Sequence, residues 1–152
     1  MSPEAPEADE PPGRAVADVE VTFAVLPVKR FDDAKQRLDG ELSPGMRRAL
    51  AEAMLTDVLL ALRRAEAVAE VLMVTAEPAA EAIGRGYGAL VIHEPVQEGQ
   101  SPAAQLGVRH ALDAGASRVL LVPGDCPALD PLELDALLAQ PPVGRPGAVV
   151  VP

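Results

Sequence analysis

The sequence predicts an α/β fold in which a mostly parallel β-sheet carries helices on both faces. Short apolar segments alternate with longer amphipathic segments along most of the chain. The apolar segments are nearly continuous, as is typical of strands that are buried on both faces of a sheet. The connections between them are short, which favours right-handed β–α–β crossovers and therefore parallel pairing of the strands.

Composition excludes several other classes of protein. The chain has 152 residues, a formal net charge of −10 and a single cysteine, Cys126. This length suits one domain, the acidity disfavours a nucleic-acid partner, and one cysteine allows no disulfide within the chain. No apolar run approaches the roughly 20 residues that span a bilayer, and the acidic N-terminus does not resemble a secretory signal. We therefore expect a cytoplasmic domain with neither a membrane nor a nucleic acid as partner.

The first residues differ from the rest of the chain. Six acidic residues and one arginine lie within positions 1–20, among many prolines and alanines and without periodicity. Such a segment cannot bury enough apolar surface to order itself. We expect residues 1–19 to form a disordered acidic tail and residues 20–152 to form the folded domain.

The first half of that domain predicts two strands separated by a long helix. The first strand covers residues 21–26 and ends at Pro27. Ser43 then offers a helix N-cap, and Pro44 suits the first helical position. Apolar residues at helical spacing extend this helix to residue 65, namely Met46, Leu50, Met54, Val58 and Leu62. The second strand covers residues 70–75.

The second half continues the alternation. A short helix over residues 78–83 is expected to end at Gly84 and Gly86, because glycine commonly terminates helices. A strand follows at 89–92, a helix at 102–114, a strand at 118–122 and a helix at 131–139. A fifth strand begins at 148–151.

Charged side chains follow the first and fourth predicted strands. Lys29 comes directly after the first strand, with Lys35 and Arg37 further along the same connection, and Asp125 follows the fourth strand between two prolines. Ligands of parallel sheets bind beyond the carboxyl ends of the strands. Cations neutralise phosphate charge there and a carboxylate holds Mg²⁺, so the combination favours phosphoryl or nucleotidyl transfer. A solvated helix face with intrahelical ion pairs is the alternative interpretation of the cationic segment.

A second candidate element is the segment Gly99–Gln100–Ser101, immediately before a predicted helix. Glycine permits a close approach of the backbone, Ser101 can cap the helix, and a helix N-terminus attracts anions. A plain capped helix start explains the same residues. The sequence contains neither a P-loop nor the glycine fingerprint of dinucleotide-binding folds, which excludes those two kinds of nucleotide site.

Three segments resemble one known family. FAVLPVKRFDDAKQRL (residues 23–38), LSPGMRRALAEAMLTDVL (42–59) and VLLVPGDCPAL (119–129) occur in the order and spacing found in the 2-phospho-L-lactate / phosphoenolpyruvate guanylyltransferases of coenzyme F-420 biosynthesis. The resemblance covers roughly residues 21–152. Its most specific part is Pro-Val-Lys followed by Ala-Lys-x-Arg-Leu, where related nucleotidyltransferases have a glycine-rich loop.

The resemblance implies a fold, a reaction and a set of site residues. The fold would be nucleotide-diphospho-sugar transferase-like, a GT-A-like Rossmannoid sheet. The reaction would join GMP from GTP to phosphoenolpyruvate or 2-phospho-L-lactate and release pyrophosphate, with Mg²⁺ as cofactor. The catalytic residues would be Lys29, Lys35 and Arg37, the nucleotide-binding residues Pro27, Lys29, Gly99, Gln100 and Ser101, and the metal ligand Asp125.

Two departures from the family keep alternatives open. The family usually has Leu-Asn where this chain has Gln100–Ser101, which allows a molybdopterin-type cytidylyl- or guanylyltransferase instead. The family also continues beyond the position of Pro152 with a Gly-Thr-Asn segment, further acidic metal ligands and a loop for the phospho-acid. We therefore expect a fold that is incomplete at its C-terminus and a fragment that is inactive alone, or a non-catalytic nucleotide-binding half. The acceptor and the oligomeric state, a homodimer included, stay open.

Overall fold

Four parallel strands form one sheet in the computed structural model, which describes residues 20–33, 40–94 and 99–141. Their order is β3–β2–β1–β4, and their bounds are Thr22–Val28 (β1), Val68–Thr75 (β2), Leu90–His93 (β3) and Arg118–Leu121 (β4). The α-helices of the described ranges are Pro44–Arg64 (α1), Pro78–Gly86 (α2), Gln100–Asp113 (α3) and Pro131–Leu138 (α4). The predicted α/β fold with a parallel sheet is confirmed. The predicted tail at 1–19 and fifth strand at 148–151 lie outside the described residues.

The central strand β1 divides the core into two layers. All of its residues are buried, and successive side chains of a strand point to opposite faces. Ala24, Leu26 and Val28 join the larger cluster with helix α1, whereas Phe23 and Val25 join the smaller cluster with α3. Helices therefore cover both faces of the sheet, as the nearly continuous apolar strands predicted.

The sequence prediction ended β1 at Pro27, and this is wrong. The strand continues through Pro27 to Val28, where these two residues pair with Val74 and Thr75 of β2. Proline removes one backbone donor, which a strand tolerates where no neighbour needs that donor. Pairing of β1 with β4 ends at Val25, so proline two residues further on has no β4 partner to lose.

Two helix ends also differ from the prediction. Helix α2 continues past Gly84 to Gly86, because Gly84 serves packing rather than termination: a Cβ at this position would lie 2.2 Å from Met73 Cε. Helix α3 begins at Gln100 rather than at residue 102, with Gly99 as its N-cap. The other bounds agree with the prediction to within two residues.

The apolar face of α1 starts later than the periodicity indicated. Ser43 Oγ accepts a hydrogen bond from Met46 N at 3.3 Å, which confirms the predicted cap. Met46 and Leu50, however, are 59% and 38% exposed, and the buried stripe of α1 begins at Ala51. No helix in the described ranges has both the length and the apolarity needed to cross a membrane.

Candidate functional site

A groove of about 260 Å³ opens at the carboxyl-terminal edge of the sheet, between β1, the end of β4 and the first turn of α3. The chain segments that border it come from the three elements that the sequence analysis singled out. Its lining residues are Pro27, Gln100, Ser101, Ala104, Leu121, Val122 and Pro123. Three of the five predicted nucleotide-binding residues thus line one groove.

The start of α3 is shaped by Gly99. Gly99 has a φ of 122°, a backbone conformation that residues other than glycine rarely adopt. It is the N-cap of α3, and no side chain of the described residues, which leave out positions 95–98, caps this end of the helix. The expectation that Ser101 caps the helix is therefore wrong, because Ser101 is already the second helical residue and its side chain is exposed. Since no described side chain caps them, the first backbone N–H groups of α3 suit an anion at the groove.

Helix α3 packs closely against the sheet at Gly107. A Cβ on Gly107 would lie 2.4 Å from Val25 Cγ1 and 3.1 Å from Val74 Cγ2. Only glycine permits this approach without a shift of the helix or of two β-branched side chains. The close packing brings the first turn of α3 next to Pro27 at the edge of the sheet.

Lys29 is exposed directly beyond β1. Within the described ranges, no hydrogen bond or ion pair engages its ammonium group. An ammonium in this position is available to a ligand that carries negative charge. Lys35 and Arg37, which were predicted to act with it, lie outside the described residues.

Asp125 is exposed in the turn after β4. Val122 N donates a hydrogen bond to Val25 O at 3.0 Å, which keeps the end of β4 beside β1. A Cβ on Gly124 would lie 3.3 Å from Val28 Cγ2. Gly124 therefore contacts the end of β1 at Val28. Lys29 directly follows Val28 in the chain, and Asp125 directly follows Gly124. The cation and the carboxylate lie at the same edge of the molecule.

Asp125 fits a partial role in binding Mg²⁺. The described residues contain no group of three or more histidine, cysteine, aspartate or glutamate side chains arranged to hold a metal ion. Mg²⁺ at nucleotide sites is commonly held by one or two carboxylates, with substrate phosphates and water at the remaining positions. A single exposed carboxylate at the edge where phosphates are expected is consistent with that donor set.

The sequence analysis gave no role to a buried carboxylate at this edge, that of Glu77, although Glu77 closely follows a predicted strand. Glu77 follows β2 and is only 5% exposed. Its Oε1 accepts hydrogen bonds from Arg48 Nη2 at 3.1 Å and from Ala79 N at 3.3 Å. Its Oε2 accepts a hydrogen bond from Phe31 N at 3.3 Å. One carboxylate therefore joins α1, α2 and the segment that follows β1.

Arg48 is the second residue that was missed. Its guanidinium carbon lies 5.6 Å from the centroid of the Phe31 ring, within the range of a cation–π contact. Arg48 Nε also lies 3.1 Å from Glu52 Oε1, and Nη1 lies 3.7 Å from Asp32 Oδ1. A local signal for Glu77 exists, since an acid directly before Pro78 is typical of a helix start. Nothing local indicates its partners, which lie 29 and 46 residues away.

A separate pair, formed by a carboxylate on α2 and a histidine on β3, lies nearby in the sequence of elements. His93 Nδ1 donates a hydrogen bond to Glu81 Oε1 at 2.7 Å, and Arg85 Nη2 lies 3.2 Å from Glu81 Oε2. The hydrogen bond from His93 holds the pKa of Glu81 below its ordinary value, and the Arg85 guanidinium acts in the same direction. Glu81 N donates a backbone hydrogen bond to Glu77 O at 3.0 Å. In the described residues, the side chains of the pair contact neither Lys29 nor the Glu77 carboxylate, so Glu81 provides a carboxylate for comparison.

Comparison with known proteins identifies the kind of domain. A family model described as the MobA-like NTP transferase domain matches residues 36–152. Among solved structures, a protein from Desulfovibrio desulfuricans G20 classed as a nucleotide-diphospho-sugar transferase superposes with a TM-score of 0.59. The superposition covers 78% of this chain and 53% of that one at 17% sequence identity. This likeness confirms the fold that the resemblance implied.

Two relatives with curated names show the similarity along the sequence. The phosphoenolpyruvate guanylyltransferase of Conexibacter woesei is 53% identical over 131 residues, which are 86% of this chain and 59% of the relative. The 3-phospho-D-glycerate guanylyltransferase of Phenylobacterium zucineum is 39% identical over 118 residues, which are 76% of this chain and 54% of the relative. The chain thus spans little more than half the length of these relatives. With the family match extending over most of its residues, the chain belongs to the MobA-like NTP transferase domains.

Proposed function

We propose that the protein is a Mg²⁺-dependent guanylyltransferase that transfers GMP from GTP to the phosphate of a three-carbon phospho-acid. The observation that carries this proposal is that an exposed ammonium, Lys29, and an exposed carboxylate, Asp125, each follow one member of the Val28–Gly124 contact. Both lie at the sheet edge where the groove opens against α3. The names of the relatives agree with this chemistry.

The reaction explains why both charges are needed. A phosphate oxygen of the acceptor attacks the α-phosphorus of GTP, one P–O bond forms, the bond to the β-phosphate breaks, and pyrophosphate leaves. The attacking group and the leaving group are both anions, so their charge must be neutralised in the transition state. Lys29 supplies positive charge directly, with Lys35 and Arg37 as further cations of the same connection. Mg²⁺ supplies charge neutralisation on the phosphates when bound, and Asp125 would hold it.

The groove suits the nucleoside part of the substrate. Gln100 contributes an amide and Ser101 a hydroxyl, each of which both donates and accepts hydrogen bonds. Gly99 has no side chain to obstruct approach to the first turn of α3, and the helix N-terminus favours negative charge. Pro27 adds an apolar surface at the wall of the groove. Together these features support a guanosine along Gly99–Ser101.

The acceptor is proposed to be phosphoenolpyruvate, as in the name of the relative from C. woesei. 2-Phospho-L-lactate and 3-phospho-D-glycerate present the same two anionic groups, a phosphate and a carboxylate on three carbons, and one relative is named for the latter. With phosphoenolpyruvate or 2-phospho-L-lactate as acceptor, the reaction would serve coenzyme F-420 biosynthesis in the cytoplasm.

The test is incubation of purified protein with GTP, Mg²⁺ and each of the three acids, followed by measurement of pyrophosphate and of product mass. We expect stoichiometric pyrophosphate and a guanylylated acid, with phosphoenolpyruvate giving the highest kcat/KM. The assay compares the 152-residue chain with a chain extended to the length of its relatives, because this chain spans 59% of the relative from C. woesei. A folded, extended protein that releases no pyrophosphate with any of the acids contradicts the proposal.

The alternative is a molybdopterin-type cytidylyl- or guanylyltransferase. Gln100–Ser101 in place of Leu-Asn favours it, as does the description of the family model. Replacing GTP by CTP in the same assay separates the two. A clear preference for CTP, or transfer to a molybdopterin acceptor and to no phospho-acid, identifies the alternative as correct.

A further inference from the structure

The carboxylate of Glu77 connects three elements at the carboxyl-terminal edge of the sheet. Its three hydrogen-bond donors are Phe31 N in the segment after β1, Arg48 on α1 and Ala79 N in the first turn of α2. Burial of a carboxylate is unfavourable unless hydrogen bonds and an opposite charge compensate it. Here both oxygens are hydrogen-bonded, and the guanidinium of Arg48 lies 3.1 Å away. The arrangement is a built network rather than a chance surface contact.

This network holds Phe31 from two sides. The backbone N–H of Phe31 donates to Glu77, and its ring lies under the guanidinium of Arg48. Phe31 is 3% exposed and belongs to the larger core cluster. Phe31 is therefore held by a hydrogen bond, a cation–π contact and apolar packing at once.

Lys29 lies between two held points of the chain. On one side Val28 pairs with Thr75 in the last step of the β1–β2 ladder. On the other side only Arg30 separates Lys29 from Phe31. Lys29 and Arg30 lie between the anchored residues Val28 and Phe31, so few backbone conformations are available to them. The two anchors therefore determine the position of the Lys29 backbone and the direction in which its side chain leaves it.

We propose that Glu77 and Arg48 are positioning residues that hold Lys29 in place for a phosphate anion. The identification of that anion as the triphosphate of a nucleotide rests on the proposed function. Glu77 acts through Phe31 and not by contact with the substrate. A displacement of about 1 Å in a group that binds the reacting phosphates reduces rates by up to about 100-fold, which sets the size of effect to look for.

The test is a double-mutant cycle on anion binding that does not depend on catalysis. Binding of inorganic tripolyphosphate is measured by calorimetry for the wild type, Lys29→Ala, Glu77→Gln and the double variant. We expect each single substitution to weaken binding about 10-fold and the double variant to bind no more weakly than Lys29→Ala. Additive effects, or no binding by the wild type, overturn the proposal.

A second variant and a control separate positioning from stability. Arg48→Lys keeps the positive charge but loses the planar group that contacts Glu77, Glu52 and the Phe31 ring. We expect it to weaken binding as Glu77→Gln does, and amide exchange of Phe31 to accelerate in both variants. Glu81→Gln is the control. It removes a carboxylate in the first turn of α2, the helix that Glu77 caps, and this carboxylate does not contact Phe31. Binding should remain within twofold of the wild type. Weaker binding by Glu81→Gln, or unchanged binding with a lowered Tm in the other two variants, shows a structural role only.

The outcome distinguishes this inference from the proposed function. Non-additive binding in a protein that transfers no GMP removes the guanylyltransferase assignment and leaves the positioning role intact. Additive binding in a protein that transfers GMP removes the positioning role and leaves the assignment intact.

Discussion

At the scale of single residues, the proposed site depends on two charged side chains that lie outside the apolar core. Lys29 and Asp125 are exposed, and each follows directly after a residue that is part of the Val28–Gly124 contact. Their side chains make no contribution to the apolar clusters. Substitutions at these positions should therefore affect function far more than stability.

Asp125→Asn tests this separation. The substitution removes the formal charge at nearly constant shape, so we expect Mg²⁺-dependent guanylyl transfer to fall at least about 100-fold while Tm changes by less than about 2 °C. Measurements of pyrophosphate release against Mg²⁺ concentration and of thermal unfolding give both quantities. Asp113→Asn, an exposed aspartate at the end of α3, is the control and should keep wild-type activity. Wild-type turnover in Asp125→Asn shows that Asp125 is not the metal ligand.

The sequence was sufficient to locate these two charges and insufficient to find Glu77 and Arg48. Lys29 and Asp125 follow apolar strands, and parallel strands put their carboxyl ends at one edge, so local patterns already predict that both residues lie at this edge of the sheet. Glu77 pairs with residues that are distant along the chain. Such a contact results from the packing of α1 and α2 against the sheet, and the periodicity of apolar residues along the sequence does not predict it. The roles of Lys35 and Arg37 stay predictions.

At the scale of elements, helix α3 determines the shape of the groove. Gly107 allows it to approach β1 and β2, and Gly99 starts it in a conformation that favours glycine. The sequence analysis treated glycines chiefly as signals for helix ends. That interpretation is correct at Gly115, which follows α3 with a φ of 95°, and wrong at Gly84, where the absence of a side chain makes room for Met73. Burial against a neighbour, and not local sequence, decides between these two uses of glycine.

Gly107→Ala tests the close approach of α3. The added Cβ would overlap Val25 and Val74, so the helix must move outward, and we expect a loss of about 1–3 kcal/mol of stability with a Tm lower by several degrees. Nucleotide binding should weaken as well, because Gln100 and Ser101 move with the helix. Gly45→Ala on α1 is the matched control, since a Cβ there meets nothing within 4 Å, and its Tm should be equal or slightly higher. Equal stability in Gly107→Ala means that α3 accommodates the side chain without displacement.

The Glu81–His93 pair predicts a pH dependence of stability. The pKa of Glu81 is lowered in the folded protein, so this carboxyl favours folding at pH values above the ordinary glutamate pKa of about 4.3. The contribution is lost as the pH falls through the lowered value, where the folded protein also takes up the proton. We expect Glu81→Gln to have a lower Tm than the wild type at pH 7, and this difference in Tm to shrink as the pH falls below the ordinary glutamate pKa. A difference in Tm that stays constant as the pH falls contradicts this account.

At the scale of the whole molecule, the order β3–β2–β1–β4 brings the ends of β1 and β4 together as sheet neighbours. Sequence predicted the alternation of strands and helices but not this order, because many orders satisfy the same alternation. The order matters for the proposed function, since it makes the first and fourth strands, rather than consecutive ones, the two sides of the proposed site.

Nucleotide binding should stabilise this whole assembly. At a concentration 100 times its Kd, a ligand of the folded state adds about 2.7 kcal/mol, which for a domain of this size corresponds to a rise in Tm of about 5–10 °C. We expect GTP with Mg²⁺ to produce such a rise in a thermal-shift measurement and CTP to produce a clearly smaller one. A larger rise with CTP favours the molybdopterin-type alternative.

The proline that the sequence prediction took for the end of β1 has one more consequence. The carbonyl of Val25 accepts a hydrogen bond from Val122 N, directly after β4. The backbone N–H and C=O groups of successive strand residues point alternately to the two neighbouring strands, so those of position 27 point toward β4 as well. Proline has no amide hydrogen to offer there. The pairing of β1 with β4, which ends at Val25, therefore cannot be extended by a hydrogen bond from position 27. In our proposal, the groove that receives the ligand therefore opens at the position where Pro27 has no backbone N–H to donate.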